Sequence, residues 1–273
     1  MTLTLSADQI TAEATLLDNA AVAVAPIRQT TSVYPDATID DAYAIQAAWR
    51  ERQVERGAEI VGHKIGLTSR AMQAAMQIDT PDSGFITDAM VFEPDSELSA
   101  ADFCDLKLEV ELAFVLRSDL VGRDLNVDNV LDATDFIVPA VELIDARSYR
   151  RDPETGRPRT VIDTIADNAA DAGIVCGGSR IAPRQLDLGW VGAIARRNGV
   201  VEETGLAAGV LGHPAFGIAW LAHRYAEQGL ALEAGQTILA GSFTRPIDVR
   251  PGDEFEFDYG PQGCFGLAFE GER

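Results

Sequence analysis

The sequence has 273 residues, 47% of them hydrophobic and 7% aromatic, which is enough for one large globular domain or two smaller ones. Its 43 acidic residues against 22 basic ones give a net charge of −21, which argues against nucleic acid and anionic membrane surfaces as partners. The three cysteines form no C-x-x-C arrangement, and the sequence has neither a secretory leader nor an apolar run of about 18 residues. These features predict a cytoplasmic protein without a disulfide framework.

The N-terminal part is predicted to be helical. Ser6 begins a stretch with capping-box spacing, and Thr38 or Asp40 can cap a second helix that ends at Gly57. Three further segments follow in chain order: a strand-like run, EIVGHKIGLTS; a short helical stretch around RAMQAAM; and a turn-rich segment, DTPDSG.

Beyond these segments the pattern changes to that of strands. The candidate strands are LEVELAFVL, FIVPAVELIDA, AGIVCGG and QTILAGSFT, followed by FEFDYGPQGCFGLAF as a pair joined by a tight turn. One more helix is predicted, with Pro214 in its first turn and Gly229 just past its end. We therefore expect an α+β fold in which a helical N-terminal part, residues 1–85, packs on a β-rich core, residues 86–273, as one compact unit.

The run KLEVELAFVL contains two acidic residues in an otherwise apolar strand. Glu109 and Glu111 would lie on the same face of that strand, where two unpaired buried carboxylates are costly unless a cation lies between them. Glu142 has a similar apolar setting in the next predicted strand. Three converging carboxylates would make an all-oxygen site that suits Mg²⁺ or Mn²⁺ better than zinc. From the residues alone, an exposed face or an edge strand remains the alternative.

The sequence contains only two lysines. Lys64 lies in an apolar, glycine-bounded strand, where partial desolvation could free its proton for acid or base chemistry, although a surface lysine is the alternative. Lys107 is interpreted as a structural charge partner. His63 and His213 are interpreted as polar packing and a helix cap rather than as metal ligands.

Other polar positions are less specific. Asp82 is a turn former within TPDSG, and Ser242, Thr244 and Arg245 form either a carboxylate-binding edge or an ordinary loop. Motifs of serine hydrolases, P-loop proteins, dinucleotide-binding folds and zinc proteases are absent from the sequence.

Taken together, these segments resemble the hydratase and decarboxylase branch of the fumarylacetoacetate hydrolase superfamily. The resemblance runs from about residue 33 to residue 269. It rests on segments found in the family's order: GHKIGLTS, TPDSG, LEVELAFVL, VPAVELIDAR, DTIADNAA, GVLGHPAFGIAWLA and LEAGQTILAGSFTRP. The resemblance implies a mixed β-roll or sandwich core with helices around it, and a homo-oligomer that can associate with a pathway decarboxylase.

The resemblance also implies the site residues. The Mg²⁺ or Mn²⁺ ligands match Glu109, Glu111 and Glu142, and the active-site lysine and aspartate match Lys64 and Asp82. Four residues are expected to bind substrate: Leu67, Arg147, Ser242 and Thr244. Lys107 is a departure, because relatives tend to carry arginine there.

The implied activity is that of a lyase. The stretches ELIDARSYRRDPETGRPRTVIDTIADNAADAG and NGVVEETGLAAGVLGHPA favour a hydratase that adds water to 2-oxohept-4-ene-1,7-dioate in homoprotocatechuate catabolism, over a 2-hydroxypenta-2,4-dienoate hydratase. The alternatives are a 2-oxo-hexenedioate decarboxylase, a C–C bond hydrolase of the same superfamily, and a non-catalytic hydratase-like subunit. Five arginines are candidates for binding the distal carboxylate: Arg70, Arg147, Arg157, Arg159 and Arg245.

Overall fold

The fold is known from a computed structural model that describes residues 3–70, 73–74 and 78–271. The described residues form six α-helices: α1 (Ala7–Ala23), α2 (Thr30–Val33), α3 (Ile39–Glu55), α4 (Val127–Ala133), α5 (Val161–Ala166) and α6 (Ala215–Glu227). The strands up to the middle of the chain are β1 (Ile60–Gly66), β2 (Asp82–Thr87), β3 (Val91–Phe92), β4 (Glu97–Leu98), β5 (Lys107–Leu116) and β6 (Thr134–Ile144). The later strands are β7 (Asp171–Cys176), β8 (Gly192–Arg197), β9 (Val200–Leu206), β10 (Thr237–Leu239), β11 (Ile247–Asp248), β12 (Glu254–Asp258) and β13 (Cys264–Phe269).

The predicted helix starts are confirmed. Ser6 caps α1 and Thr38 caps α3, each with a reciprocal capping box that satisfies backbone N–H groups of the first turn. Pro214 precedes α6 and Gly229 follows it in the left-handed conformation, as expected from the sequence. The predicted helical stretch RAMQAAM falls mostly on residues 71–77, of which all but 73 and 74 lie outside the described residues.

An eight-stranded mixed sheet forms the centre of the fold. Its order is β2-β1-β10-β5-β6-β7-β3, with β11 also paired to β5. The longest pairing joins β5 and β6, which run antiparallel in one register from Lys107 opposite Ile144 to Val115 opposite Phe136. These two strands are therefore held side by side over most of their length.

A second sheet of five strands, in the order β4-β13-β12-β8-β9, covers one face of the first. The main core lies between them and includes Leu108, Val110, Leu112 and Phe114 of β5, together with side chains of α6, β12 and β13. Because successive side chains of a strand alternate in direction, Glu109 and Glu111 point to the opposite face of β5.

The predicted α+β fold class is confirmed by these sheets and helices. The division after residue 85 stays a prediction; β1, which precedes it, and β2, which runs across it, belong to the same sheet as β5 and β6. Among the described residues, no helix combines the length and apolar character needed to cross a membrane.

Candidate active site

Three glutamates meet on the face of the eight-stranded sheet that points away from the main core. Glu109 in β5 lies directly opposite Glu142 in β6, and Glu111 is two residues further along β5 on the same face. One carboxylate oxygen from each of the three lies within 4.8 Å of the others. The predicted convergence of these carboxylates is therefore present, and the edge-strand alternative does not apply because β5 and β6 both have strand neighbours on either side.

The surroundings leave these carboxylates without enough donors. Within the described part of the chain, Glu111 Oε1 and Glu142 Oε2 are buried and have no hydrogen-bond partner. Burial raises the pKa of Glu109 to about 8, with a further contribution from the charge of Glu142. Burial, Glu142 and Glu109 raise the pKa of Glu111 well above its usual value. These three carboxylates cannot all ionise without a cation, and together they offer only oxygen atoms as donors. Such a donor set fits a hard divalent ion.

Lys64 and Asp82 lie beside this cluster. Lys64 Nζ is 3.2 Å from Glu142 Oε1, in an ion pair with side chains 5% and 0% exposed. Gly66 makes room for both groups, because a Cβ at position 66 would lie 2.3 Å from Asp82 Oδ1 and 2.8 Å from Lys64 Nζ. Position 66 therefore favours a glycine, because a Cβ there would displace the charged side chains of Lys64 and Asp82.

The protonation of Lys64 differs from the expectation that desolvation would free its proton. Burial alone would lower the pKa of Lys64, but the charges of Glu142, Asp82 and Glu109 raise it well above the usual lysine value. Asp82 shows the opposite balance: burial raises its pKa, against smaller lowering contributions that begin with Lys64. Lys64 is therefore held as an ammonium, and Asp82 is a weaker acid than a solvent-exposed aspartate.

Two groups from the last third of the chain fix the position of β5. The backbone N–H of Gly241 donates to Glu111 Oε2 at 2.8 Å. The hydroxyl of Tyr259 lies 3.0 Å from the carbonyl oxygen of Glu111 and 2.5 Å from that of Ala140, so its proton is shared between neighbouring strands. These contacts orient the glutamate strand relative to its partner β6.

The predicted substrate-binding residues lie around this cluster in different environments. Ser242 Oγ is within hydrogen-bond distance of the carbonyl oxygens of Val110 and Thr244, and Thr244 Oγ1 accepts from the N–H of Val110. Both hydroxyls thus contact the backbone between the two strand glutamates. Leu67 directly follows β1 and has a left-handed backbone, with φ of 55°, a conformation that is costly for a leucine and common near functional sites.

Arg147 is placed differently from the other predicted residues. Its Nε donates to Asp167 Oδ1 at 2.6 Å, while Nη1 and Nη2 donate to the carbonyl oxygens of Asp171 and Asp167. The guanidinium is 4% exposed, and each of its nitrogens already has a protein acceptor. A role for Arg147 in substrate binding stays a prediction.

The sequence interpretation missed Asp171, a buried carboxylate at the start of β7. Its Oδ2 has no hydrogen-bond partner among the described residues. Burial raises its pKa well above the usual value, as does the charge of Glu142. The only signal for this residue in the sequence was its position beside the apolar run AGIVC. That position did not distinguish it from the four aspartates between β6 and β7, which are Asp145, Asp152, Asp163 and Asp167.

The interpretations of the histidines and of Lys107 are confirmed. His63 packs against Tyr225 with a 2.9 Å contact between Nδ1 and the phenol oxygen, and burial lowers its pKa to about 3. His213 Nδ1 accepts from the N–H of Ala215 at the start of α6. Lys107 forms an ion pair with Asp248.

Comparisons with known proteins identify the family. No family model matches the chain. The sequence is 51% identical over 253 residues to the 2-oxo-hept-4-ene-1,7-dioate hydratase of Escherichia coli, covering 93% of this chain and 95% of that protein. The solved structure of 4-oxalocrotonate decarboxylase from Pseudomonas putida G7, complexed with magnesium and adipate, is 34% identical with a TM-score of 0.93, over 98% of this chain and 100% of that one.

A more distant solved structure shares the fold of this chain. A yeast fumarylacetoacetate hydrolase family protein matches with a TM-score of 0.53 and 16% identity, over 77% of this chain and 92% of that one, and this likeness concerns the fold alone. Because the hydratase and the decarboxylase match nearly the full length at 51% and 34% identity, the chain belongs to the family of these hydratases and decarboxylases, with a fold like that of fumarylacetoacetate hydrolase family proteins.

Proposed function

We propose that the chain is a divalent-metal-dependent hydratase, a lyase that adds water to 2-oxohept-4-ene-1,7-dioate to give 4-hydroxy-2-oxoheptane-1,7-dioate in aromatic catabolism. The observation that carries this proposal is the 51% identity to a hydratase of that name along nearly the whole chain. The buried cluster of Glu109, Glu111 and Glu142 beside Lys64 supports it, since this arrangement is poorly explained as structure alone.

The metal ligands in this proposal are the three glutamates. Their donor set is all oxygen, and the unpartnered oxygens of Glu111 and Glu142 are buried where an ion would satisfy them. The solved relative of the decarboxylase type is complexed with magnesium, which supports Mg²⁺, with Mn²⁺ as the alternative. When bound, the ion supplies a Lewis acid that stabilises negative charge on the 2-keto oxygen of the substrate.

The chain's own groups then handle protons. Lys64 is charged at Nζ, so it is placed to donate a proton, and Asp82 has a buried Oδ1 without a hydrogen-bond partner in the described residues, so it is placed to accept one. Moving the double bond into conjugation with the 2-keto group makes C4 electrophilic, and water adds there.

A second candidate function is decarboxylation of a 2-oxo-hexenedioate. It is favoured by the TM-score of 0.93 to 4-oxalocrotonate decarboxylase, a fold match that extends over 98% of this chain. The two reactions differ in their product, because only the second releases CO₂.

The test follows the ultraviolet absorbance of enzymatically generated 2-oxohept-4-ene-1,7-dioate, with and without Mg²⁺. We expect Mg²⁺-dependent loss of the signal without CO₂ release, and a loss of activity on the order of 10³-fold in Glu109→Gln. Glu97→Gln, at an exposed glutamate of β4, is the matched control and should behave like the wild type. Stoichiometric CO₂ would favour the decarboxylase, and no reaction in any condition would contradict both.

Assembly and location are also part of the proposal. We propose a homo-oligomer, and the apolar groove of about 930 Å³ beside β8 and β9 supports it, with its lining residues Trp190 76% and Leu206 45% exposed. Light scattering of the purified chain tests this, and a monomer at micromolar concentration would contradict it. Association with a pathway decarboxylase and a cytoplasmic location are proposed on the family resemblance alone.

A further inference from the structure

The proposed substrate has a second carboxylate at C7, six bonds along the carbon chain from the first at C1, and it needs a cationic partner. Among the five arginines predicted as candidates, three are on the surface: Arg70, Arg157 and Arg245. The side chain of Arg245 is 84% exposed and paired with Glu203, and Arg147 has a protein acceptor at each nitrogen. Arg159 remains.

Arg159 is buried and only partly paired. Its side chain is 7% exposed, and Nη2 donates to Asp167 Oδ2 at 2.9 Å. Its Nε and Nη1 are buried and have no hydrogen-bond partner within the described residues. Buried donors on a charged group are nearly always satisfied, so two unsatisfied nitrogens on one guanidinium point to an acceptor supplied from outside the chain.

The carboxylates nearest Arg159 already have other donors. Asp167 is shared, since Arg147 Nε lies 2.6 Å from its Oδ1 while Arg159 Nη2 takes its Oδ2. The nearby carboxylate of Asp163 accepts hydrogen bonds from Thr31 and Thr160, so its oxygens already have donors. A third guanidinium, that of Arg150, adds positive charge to the same region.

Arg159 also lies on the side of the fold that carries the candidate active site. The segment that follows it packs on β2, where the side chain of Asn168 bonds both the N–H and the carbonyl oxygen of Phe85. Asp82 is in the same strand, and the positive charge of Arg159 contributes to lowering the pKa of Asp82 against the larger effect of burial. Through Asp167 and the adjacent Asn168, the guanidinium of Arg159 is thus linked to β2, the strand that carries Asp82.

We propose that Arg159 forms a second anion subsite, which binds the substrate carboxylate remote from the metal and makes the chain selective for dicarboxylic over monocarboxylic 2-oxo acids. A carboxylate fits because it accepts charge-assisted hydrogen bonds from the nitrogens that the protein leaves unpaired. This inference rests on the proposed function, and it adds the residue that distinguishes a diacid from a monoacid.

The test uses two ligands that differ only in the terminal carboxylate, 2-oxoheptanedioate and 2-oxoheptanoate, titrated calorimetrically into the full-length protein loaded with Mg²⁺. We expect the wild type to bind the diacid about 10- to 100-fold more tightly. Arg159→Met should reduce this preference to less than about 3-fold while leaving the affinity for the monoacid unchanged. Arg245→Met, which removes an exposed arginine, is the control and should keep the preference.

The outcomes separate this inference from the function on which it rests. A diacid preference in the wild type that survives in Arg159→Met would overturn the subsite and leave the proposed function standing. No preference in the wild type would overturn the subsite alone, because the absorbance assay for hydration tests the proposed function independently. Equal losses for the two ligands in Arg159→Met would assign Arg159 a structural role and also overturn the subsite.

If Arg159→Met does not fold, Arg159→Lys, which keeps the charge, decides the matter: a selective loss for the diacid supports the subsite, and an unchanged preference contradicts it.

Discussion

Asp41 and Glu111 are both completely buried carboxylates, yet the molecule treats them in opposite ways. Asp41, near the start of α3, accepts hydrogen bonds from the backbone and side chain of Thr4, from the N–H of Leu5, and from the backbone and side chain of Thr38. Glu111 accepts one such bond, from Gly241. The same functional group therefore has five donors in one place and one in the other.

The titration of the two groups follows from their donors. Burial would raise the pKa of Asp41, but hydrogen bonds that begin with the one from Leu5 lower it well below the usual value. For Glu111, burial and two neighbouring carboxylates raise the pKa well above the usual value. Burial alone thus does not distinguish a structural carboxylate from a functional one, whereas the number of donors does.

The largest effect on stability is expected from removing the charge of Asp41. Asp41→Asn places an amide against donors that need acceptors, so the free energy of unfolding should fall by about 3 kcal/mol at pH 7. Because the folded pKa of Asp41 is depressed, its contribution is present above about pH 4 and is lost as the pH falls through the folded pKa. Denaturant titration measures both effects, and exposed Asp36→Asn is the control. Equal free energies of unfolding for Asp41→Asn and Asp36→Asn would contradict the structural role assigned to Asp41 in the comparison with Glu111.

A smaller effect is expected from removing divalent ions with a chelator. The folded pKa of Glu109 is raised to about 8, so in the chelated protein its favourable contribution is complete below about pH 4.5 and is lost as the pH rises through 8. The stabilisation gained by adding Mg²⁺ should therefore be larger at pH 8 than at pH 5, by about 2 kcal/mol once partial exposure of the site is allowed for. Thermal unfolding at both pH values tests this, and a stabilisation independent of pH would contradict it.

The smallest effect has the opposite sign to that of Asp41. In chelated protein at pH 8, Glu111→Gln removes a buried, poorly paired carboxyl group that must either take up a proton on folding or carry an uncompensated charge, so the free energy of unfolding should rise by about 1 kcal/mol. Exposed Glu97→Gln should change it by less than about 0.5 kcal/mol. A destabilised Glu111→Gln would mean that this carboxylate contributes to the fold much as Asp41 does.

Several elements could be predicted from local sequence because their causes are local. The capping boxes at Ser6 and Thr38 depend on residues three positions apart, and the glutamates of β5 stand out against an apolar strand. The convergence of Glu142 with Glu109 follows once β5 and β6 are assumed to be neighbours, which their succession along the chain favours. For these residues, the pattern and spacing of the sequence were enough to predict the helix caps and the meeting of the glutamates.

Other features depend on contacts between distant parts of the chain and could not be predicted from spacing. The saturation of Arg147 by Asp167, and the unpaired nitrogens of Arg159, follow from how the segment after β6 folds back on itself. The charged state of Lys64 was mispredicted for the same reason, because it depends on three carboxylates brought together by the sheet. Sequence indicates which residues can carry chemistry, and packing decides which of them are left unpaired.

The contacts of Tyr259 and Gly241 with the glutamate strand have a consequence for biosynthesis. These anchors lie 148 and 130 residues after Glu111, so the ribosome makes the three clustered glutamates long before the groups that fix their position. At about 5–20 residues per second, roughly 7 to 30 s separate the synthesis of Glu111 from that of Tyr259. The nascent chain thus carries the three acidic side chains in an unfinished sheet, and a message truncated before the final hairpin yields a polypeptide with all three glutamates but no phenol to hold their strands in register.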